Sequence, residues 1–380
     1  MRAAPGLDRS AVPALQACAG LAAAMGVGRF VYTPLLPLME EQAHVSSSAT
    51  AFVATANYLG YFLGAAALIA RPGWSRSRTA FRGSLAVLVA SEAVMIAAVS
   101  VPLWSAARLV AGVASAFVFV YSANALASRP FPGLGYAGVG VGIAVSGLAV
   151  TLLQNVIGWQ PLWLVAAALG GAFAVGAWGL APGAPPGSAE PPGGGDEPVR
   201  IERPTPSPRN TWLLAGGYFL EGLGYIILGT FLVAAVSADG QEWTGPASWV
   251  LVGAAAAPST ALWAAARRRF RTETLLAAAL TLQVVSALLP ALVGGTAAAA
   301  VAAVLFGGTF MGIAMLAMTA GVEMGVPRAA AVLTAGYAVG QILGPLVVTP
   351  LLAGGYDSAF LTAAGVLAVG AVLVAGIRRR

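Results

Sequence analysis

Residues 13–38 read PALQACAGLAAAMGVGRFVYTPLLPL, an apolar run that carries a single charge, Arg29. A helix needs about 20 mostly apolar residues to cross a bilayer, so this run is long enough to span one. A secretory signal core is shorter, whereas this stretch continues through Gly28 to Met39 with Arg29 inside it. Eleven further runs of the same kind follow at 47–70, 79–99, 103–127, 133–155, 160–181, 211–236, 246–266, 272–292, 298–321, 329–353 and 358–377. Strands of a closed barrel would alternate apolar and polar residues, but Ala277–Leu280 and Ala297–Leu305 do not. The expectation is an all-α polytopic membrane protein with twelve transmembrane helices.

Composition agrees. Of the 380 residues, 58% are hydrophobic and 9% charged, where a soluble domain has about a quarter charged. A water-soluble enzyme, a nucleic-acid binder and a disordered scaffold are excluded on that ground. The formal net charge is +6, and all 20 basic residues are arginine. One cysteine, Cys18, and one histidine, His44, cannot build a disulfide within the chain or a His/Cys metal cluster. No GxxxxGK[ST] phosphate loop is present. No cofactor, metal or nucleic-acid partner is therefore expected; the partners are the lipid bilayer and a small solute, and the protein is expected to be a monomer.

The arginines fix an orientation. On one side the loops hold Arg2, Arg9, Arg71, Arg76, Arg78, Arg82, Arg129, Arg200, Arg203, Arg209, Arg267, Arg268, Arg269, Arg271, Arg328 and Arg378–Arg380. On the other side they hold Glu40, Glu41, Asp239, Glu242 and Asp357, and no arginine. Cytoplasmic loops collect positive charge, so both termini are expected in the cytoplasm, with an even number of spans between them.

Residues 182–210, PGAPPGSAEPPGGGDEPVRIERPTPSPRN, break the pattern. Rich in Pro and Gly and mixed in charge, they are expected to form a disordered cytoplasmic linker. They divide the chain into an N-terminal six-helix bundle, 1–181, and a C-terminal one, 211–380. The halves look like a weak repeat. Span 1 carries Gly26-Val-Gly28 followed by Arg29 and Pro34; span 7 carries Gly222-Leu-Gly224 followed by Tyr225. Gly112 in span 4 matches Gly307 in span 10, and Gly138, Gly142 and Ser146 in span 5 match Gly336, Gly340 and Gly344 in span 11. Small residues four apart share a helix face and let backbones approach closely.

Charges inside a span cost about 2.5 kcal/mol or more and commonly face a cavity or one another. Four stand clear: Arg29, Glu92, Arg108 and Glu221. At about 1.5 Å per residue, Glu92 and Arg108 reach a similar level on an antiparallel hairpin and could pair. Such a pair would serve packing or function, and Arg108 alone could snorkel outward. Arg29 and Glu221 lie near mid-membrane beside Gly-x-Gly breaks. They are expected either to face a central cavity and couple proton uptake to solute binding, or to form a permanent lock. The uncharged polar residues within spans include Asn57, Tyr58, Asn124, Tyr218, Tyr225, Gln283, Tyr337 and Gln341. Tyr32, Asn124, Tyr225 and Gln341 are expected at the cavity from their positions on spans 1, 4, 7 and 11.

With these residues in hand, the chain resembles a major facilitator superfamily transporter. More narrowly, Gly26–Met39, Glu221–Tyr225 and Arg108–Gly112 resemble the signature of the bacterial YbfB/YjiJ-type transporters. The resemblance implies two six-helix bundles around a cavity lined mainly by helices 1, 4, 7 and 10. Arg108 followed by Gly112 is similar to a helix 4 motif whose arginine is associated with proton coupling in some members. Relatives usually carry an Asp before Arg-x-Gly in the loop after span 2, where this chain has Ala70 before Arg71-Pro-Gly73. The departure puts the usual cytoplasmic gate latch in doubt. The leading reading is a secondary transporter working by alternating access and coupled to protons. A sensor or scaffold that keeps the transporter fold stays open. A membrane enzyme would need paired carboxylates, a nucleophile with its base, or a metal cluster, and the sequence offers none of these in recognisable form.

Overall fold

The computed structural model describes residues 9–97, 99–127, 129–183, 207–239, 244–348, 351 and 356–378. The described residues form twelve principal helices: α1 (Val12–Ala43), α2 (Ser47–Ala70), α3 (Arg78–Val94), α4 (Val101–Leu126), α5 (Pro132–Leu153), α6 (Trp159–Ala177), α7 (Pro208–Asp239), α8 (Thr244–Ala266), α9 (Thr272–Leu292), α10 (Gly295–Glu323), α11 (Ala329–Val348) and α12 (Tyr356–Ala375). Among the described residues, eleven are long and apolar enough to cross a membrane. The shorter α3, of 17 residues, is prolonged by tight turns in which the amides of Met95, Ile96 and Ala97 donate to the carbonyls of Glu92, Ala93 and Val94. Large side chains such as Leu152, Val156, Val175, Leu262 and Val372 stay exposed on the periphery, as lipid contact allows.

Helix starts follow local chemistry. Ser46, Ser77 and Ser100 cap α2, α3 and α4 by accepting from the amides of Ala49, Ala80 and Leu103, and prolines open α4 and α5, where a missing N–H costs nothing. Within the stretch read as a linker, Pro208, Arg209 and Asn210 already belong to α7, while residues 184–206 lie outside the described residues.

Two of the expected glycine matches hold in three dimensions, as close contacts that repeat between the halves. A methyl group added at Gly26 of α1 would lie 2.5 Å from the Cα of Gly142 on α5. In the second half, Gly222 of α7 presses on the Tyr337 carbonyl of α11, and Gly340 of α11 on the Phe219 carbonyl of α7. Gly112 of α4 sits against the Asn57 carbonyl of α2, and Gly307 of α10 against the Val252 carbonyl of α8. Absence of Cβ atoms is what lets each pair of backbones touch. The third match holds less well: Gly138 abuts the Cys18 carbonyl, but Gly336 has nothing within 4 Å.

The halves meet along α5 with α8 and along α2 with α11. On the first seam Gly140 faces the backbone of Ala256 and Ala257, and the Thr260 hydroxyl donates to the Gly133 carbonyl at 2.7 Å. Arginine side chains finish helix ends on the arginine-bearing face. Arg82 donates to the Trp178 carbonyl at 2.9 Å and Arg129 to the Ala181 and Pro182 carbonyls at 3.0 Å. Cations suit the carbonyl-bearing ends of helices, where the backbone dipole is negative.

Candidate functional site

The site grows from an irregularity in α1. The helix widens to a π-type turn over Ala22–Val27 and passes through a turn at residues 28–31 before resuming at Tyr32. Gly28 and Phe30 amides reach back five residues, to the Ala23 and Met25 carbonyls. Thr33 then donates to Phe30 rather than to Arg29, which frees the Arg29 carbonyl. Turns of this kind cluster at functional sites.

Arg108 of α4 fills the break. Its Nη1 donates to the Gly28 carbonyl at 2.6 Å and its Nη2 to the Arg29 carbonyl at 2.9 Å. The guanidinium also lies over the rings of Tyr32 and Trp163, 5.3 and 5.8 Å from their centroids. Tyr32 is held in turn by donating to the Thr50 carbonyl at 2.9 Å, and Asn57 donates to the Arg108 carbonyl at 2.9 Å.

The break turns the Arg29 side chain toward the seam between the halves. It is 3% exposed, and its Nη2 donates to Oε1 of Gln341 on α11 at 2.6 Å. Tyr61 and Tyr58 of α2 present their rings 4.4 and 5.2 Å from the guanidinium carbon, a cation–π arrangement that partly replaces lost water. Its Nε and Nη1 have no acceptor. Among the described residues the ion pairs are Arg267–Glu323 at 2.6 Å and Arg271–Glu273 at 3.8 Å. Neither involves Arg29.

Two small cavities stack along the seam. The one toward the arginine-free face, about 30 Å³ of water-accessible space, is lined by residues including Arg29, Tyr32, Asn57, Tyr58, Arg108 and Trp249. The one toward the arginine-rich face, about 20 Å³, is lined by residues including Tyr61, Tyr218, Ala314, Tyr337 and Gln341. Phe30 and Tyr225 line both and divide them. Their rings meet edge to face at 6.4 Å, and Tyr225 stacks on Phe306 and Phe310 at 5.6 and 5.7 Å.

Of the residues expected at a cavity, Arg29, Tyr32, Arg108, Tyr225 and Gln341 line one. Glu221, Glu92 and Asn124 line neither. Glu221 is fully buried inside the second half and accepts from Gln283 of α9 at 3.4 Å. The expected contact between Arg29 and Glu221 is absent because the register that sets Gly26 against Gly222 sets Arg29 against Tyr225, one turn beyond Glu221. Glu92 lies against Gly170 of α6, and both its oxygens lack a hydrogen-bond partner. The expected ion pair with Arg108 does not form, since the guanidinium is taken by carbonyls that the irregular α1 leaves open. Asn124 lies near the arginine-rich end of α4, where its carbonyl abuts Gly183.

The glycines also divide. Gly26 and Gly28 accompany a real break and Pro34 follows it, but α7 runs unbroken through Gly222 and Gly224. Gly224 instead makes room for Leu367 of α12, and Gly344 for Ile226 of α7. No charge or motif marks Tyr61, Phe30 and Trp249 in the sequence, and Tyr58 and Asn57 stand out there only as polar residues within spans. The spacing of Tyr58 and Tyr61, three apart on one face of α2, is the signal that could have found them.

Two register-matched six-helix halves with a buried basic site on their seam define a polytopic membrane transporter of the major facilitator fold. The chain belongs to the family described as the uncharacterised MFS-type transporter YbfB, whose model matches residues 21–375. A comparison with curated proteins gives no match. Family membership makes the chain a multi-pass membrane protein and a transporter rather than an enzyme.

Proposed function

We propose that the protein is a secondary active transporter that carries a small organic solute across the bacterial cytoplasmic membrane by alternating access, with protons as the coupling ion. The observation that carries this reading is the position of Arg29. It belongs to one half, is held by Gln341 of the other, and stands where one cavity gives way to the next. A site shared by both halves changes whenever they rock, which is what alternating access requires.

Two further features support the reading. Glu92 and Glu221 are buried carboxyls, 1% and 0% exposed, each with an unpartnered oxygen. Buried carboxyls in membrane helices commonly serve proton relays. The one-sided distribution of arginine supports cytoplasmic termini; cysteines introduced at Gly194 and Glu41 would report this, with labelling from the periplasm expected only at Glu41.

The function is tested by comparing the metabolites of cells that express the protein, its Arg29→Ala variant, or neither. At least one organic solute should change its intracellular level with the intact protein alone. Identical profiles in all three would refute transport of a cellular solute.

A further inference from the structure

We propose that the solute is a small organic monoanion, a carboxylate on a flat apolar or aromatic body, and that Arg29 binds its charge. The inference rests on the transporter reading above and adds the chemistry of the cargo.

The hydrogen-bonding inventory of the seam is lopsided. Among buried polar atoms without a partner on residues lining the two cavities, five are donors: Arg29 Nε and Nη1, Arg108 Nε, Trp249 Nε1 and Gln341 Nε2. One is an acceptor, Asn57 Oδ1. A buried donor without an acceptor is costly, and a charged one more so. The occupant that relieves this imbalance brings acceptors and negative charge. A cation would leave every one of these donors unpaired and add repulsion from Arg29.

The same inventory points to one anionic contact, at Arg29. Arg108 lines the first cavity, but both its terminal nitrogens are committed to the Gly28 and Arg29 carbonyls. Of the two guanidiniums, only Arg29 has a terminal nitrogen without any acceptor. No carboxylate of the chain makes an ion pair with it among the described residues, so its counter-ion is left for a ligand to supply. A planar carboxylate fits the guanidinium plane.

The walls set the body of the solute. Phe30, Tyr58, Tyr225 and Trp249 border the first cavity, and the stack of Tyr225, Phe306 and Phe310 stands behind it. Flat apolar surfaces pack on such rings by stacking and edge-to-face contact. Polyamines, cationic and rich in donors, have little to bond there.

The test is thermal unfolding of the purified full-length protein in detergent with millimolar benzoate, phenylacetate or indole-3-acetate, against the uncharged benzamide and the cationic benzylamine. At least one carboxylate should raise the unfolding temperature by about 2 °C or more, with no comparable rise from benzamide or benzylamine. The rise should vanish in Arg29→Gln and return in part in Arg29→Lys. Stabilisation by benzylamine or benzamide, an undiminished benzoate shift in Arg29→Gln, or no shift from any carboxylate overturns the proposal. Flux in proteoliposomes separates this failure from that of the transporter reading. Carboxylate binding without carboxylate flux would sink transport and leave the site standing; flux of a neutral or cationic solute would do the reverse.

Discussion

Arg29 in the first half and Gln341 in the second are joined by a 2.6 Å hydrogen bond across the seam of the molecule. A buried cation is therefore met by one neutral amide on the opposing half, with its Nε and Nη1 left without an acceptor and no carboxylate of its own in contact. The bond must lengthen whenever the halves separate at this level, and a ligand that replaces it can compensate for the loss.

Gln341→Glu is the sharpest test of that arrangement. It places a carboxylate where the amide oxygen now accepts from Arg29, turning a neutral bond into a charge-assisted one. The folded protein should gain about 1–3 kcal/mol, read as a higher unfolding temperature, and transport should cease because the site is neutralised from within. A variant that is less stable yet transports normally would show that Arg29 already has a counter-ion.

Arg108 and Glu92 should respond unequally to substitution. Arg108 satisfies two backbone carbonyls of the broken α1, whereas Glu92 accepts no hydrogen bond. Arg108→Ala should cost about 3–5 kcal/mol; Glu92→Gln, similar in shape, should stay within about 1 kcal/mol. Denaturant or thermal unfolding of the two single variants checks the order, and a larger loss at Glu92 would restore it as the partner of Arg108.

Close approach of α5 and α8 makes Gly140 intolerant of a side chain. A Cβ there would run into the backbone of Ala256 and Ala257, while one at Gly365 of α12 meets nothing within 4 Å. Gly140→Val should lower the yield of folded protein sharply, by about 3 kcal/mol of stability or more. Gly365→Ala should be neutral or slightly stabilising. Monodispersity after detergent extraction distinguishes the two.

On the arginine-rich face, Arg328 of the second half donates to the Ile69 carbonyl at the end of α2 in the first, at 2.5 Å. This contact stands beside Ala70, and it closes the same face by binding a helix end. Arg328→Ala should open that face. Alkylation of a cysteine at Ala314, on the wall of the nearer cavity, should quicken about fivefold in a Cys18→Ala background. An unchanged rate would remove Arg328 from the closure.

The spans and two of the three glycine matches were legible because both are written in side-chain identity. Apolar length marks a membrane helix, and paired glycines mark close backbones. The site was legible as far as charge counting reaches: Arg29 and Arg108 were found, with Tyr32, Tyr225 and Gln341 placed by helix number. Their partners were hidden. Arg108 binds carbonyls that exist as free acceptors only because α1 departs from regular helix, and backbone acceptors leave no mark in the sequence. Charge alone sets Glu221 opposite Arg29, whereas the repeat itself points to Tyr225. Tyr61 was missed because an aromatic residue in an apolar span looks like packing until a cation is found over its ring.

Reciprocal motion of the two faces is the core of the transport reading, and paired distance measurements test it most directly. Spin labels at Glu41 and Val293 bridge the halves on the arginine-free face; labels at Gly73 and Arg269 bridge them on the other. In a Cys18→Ala background, with pH varied from 8 to 5 and benzoate present or absent, each pair should show a shorter and a longer distance. The longer population should grow on one face as it shrinks on the other. A single distance on both faces, unmoved by either variable, would contradict alternating access about Arg29.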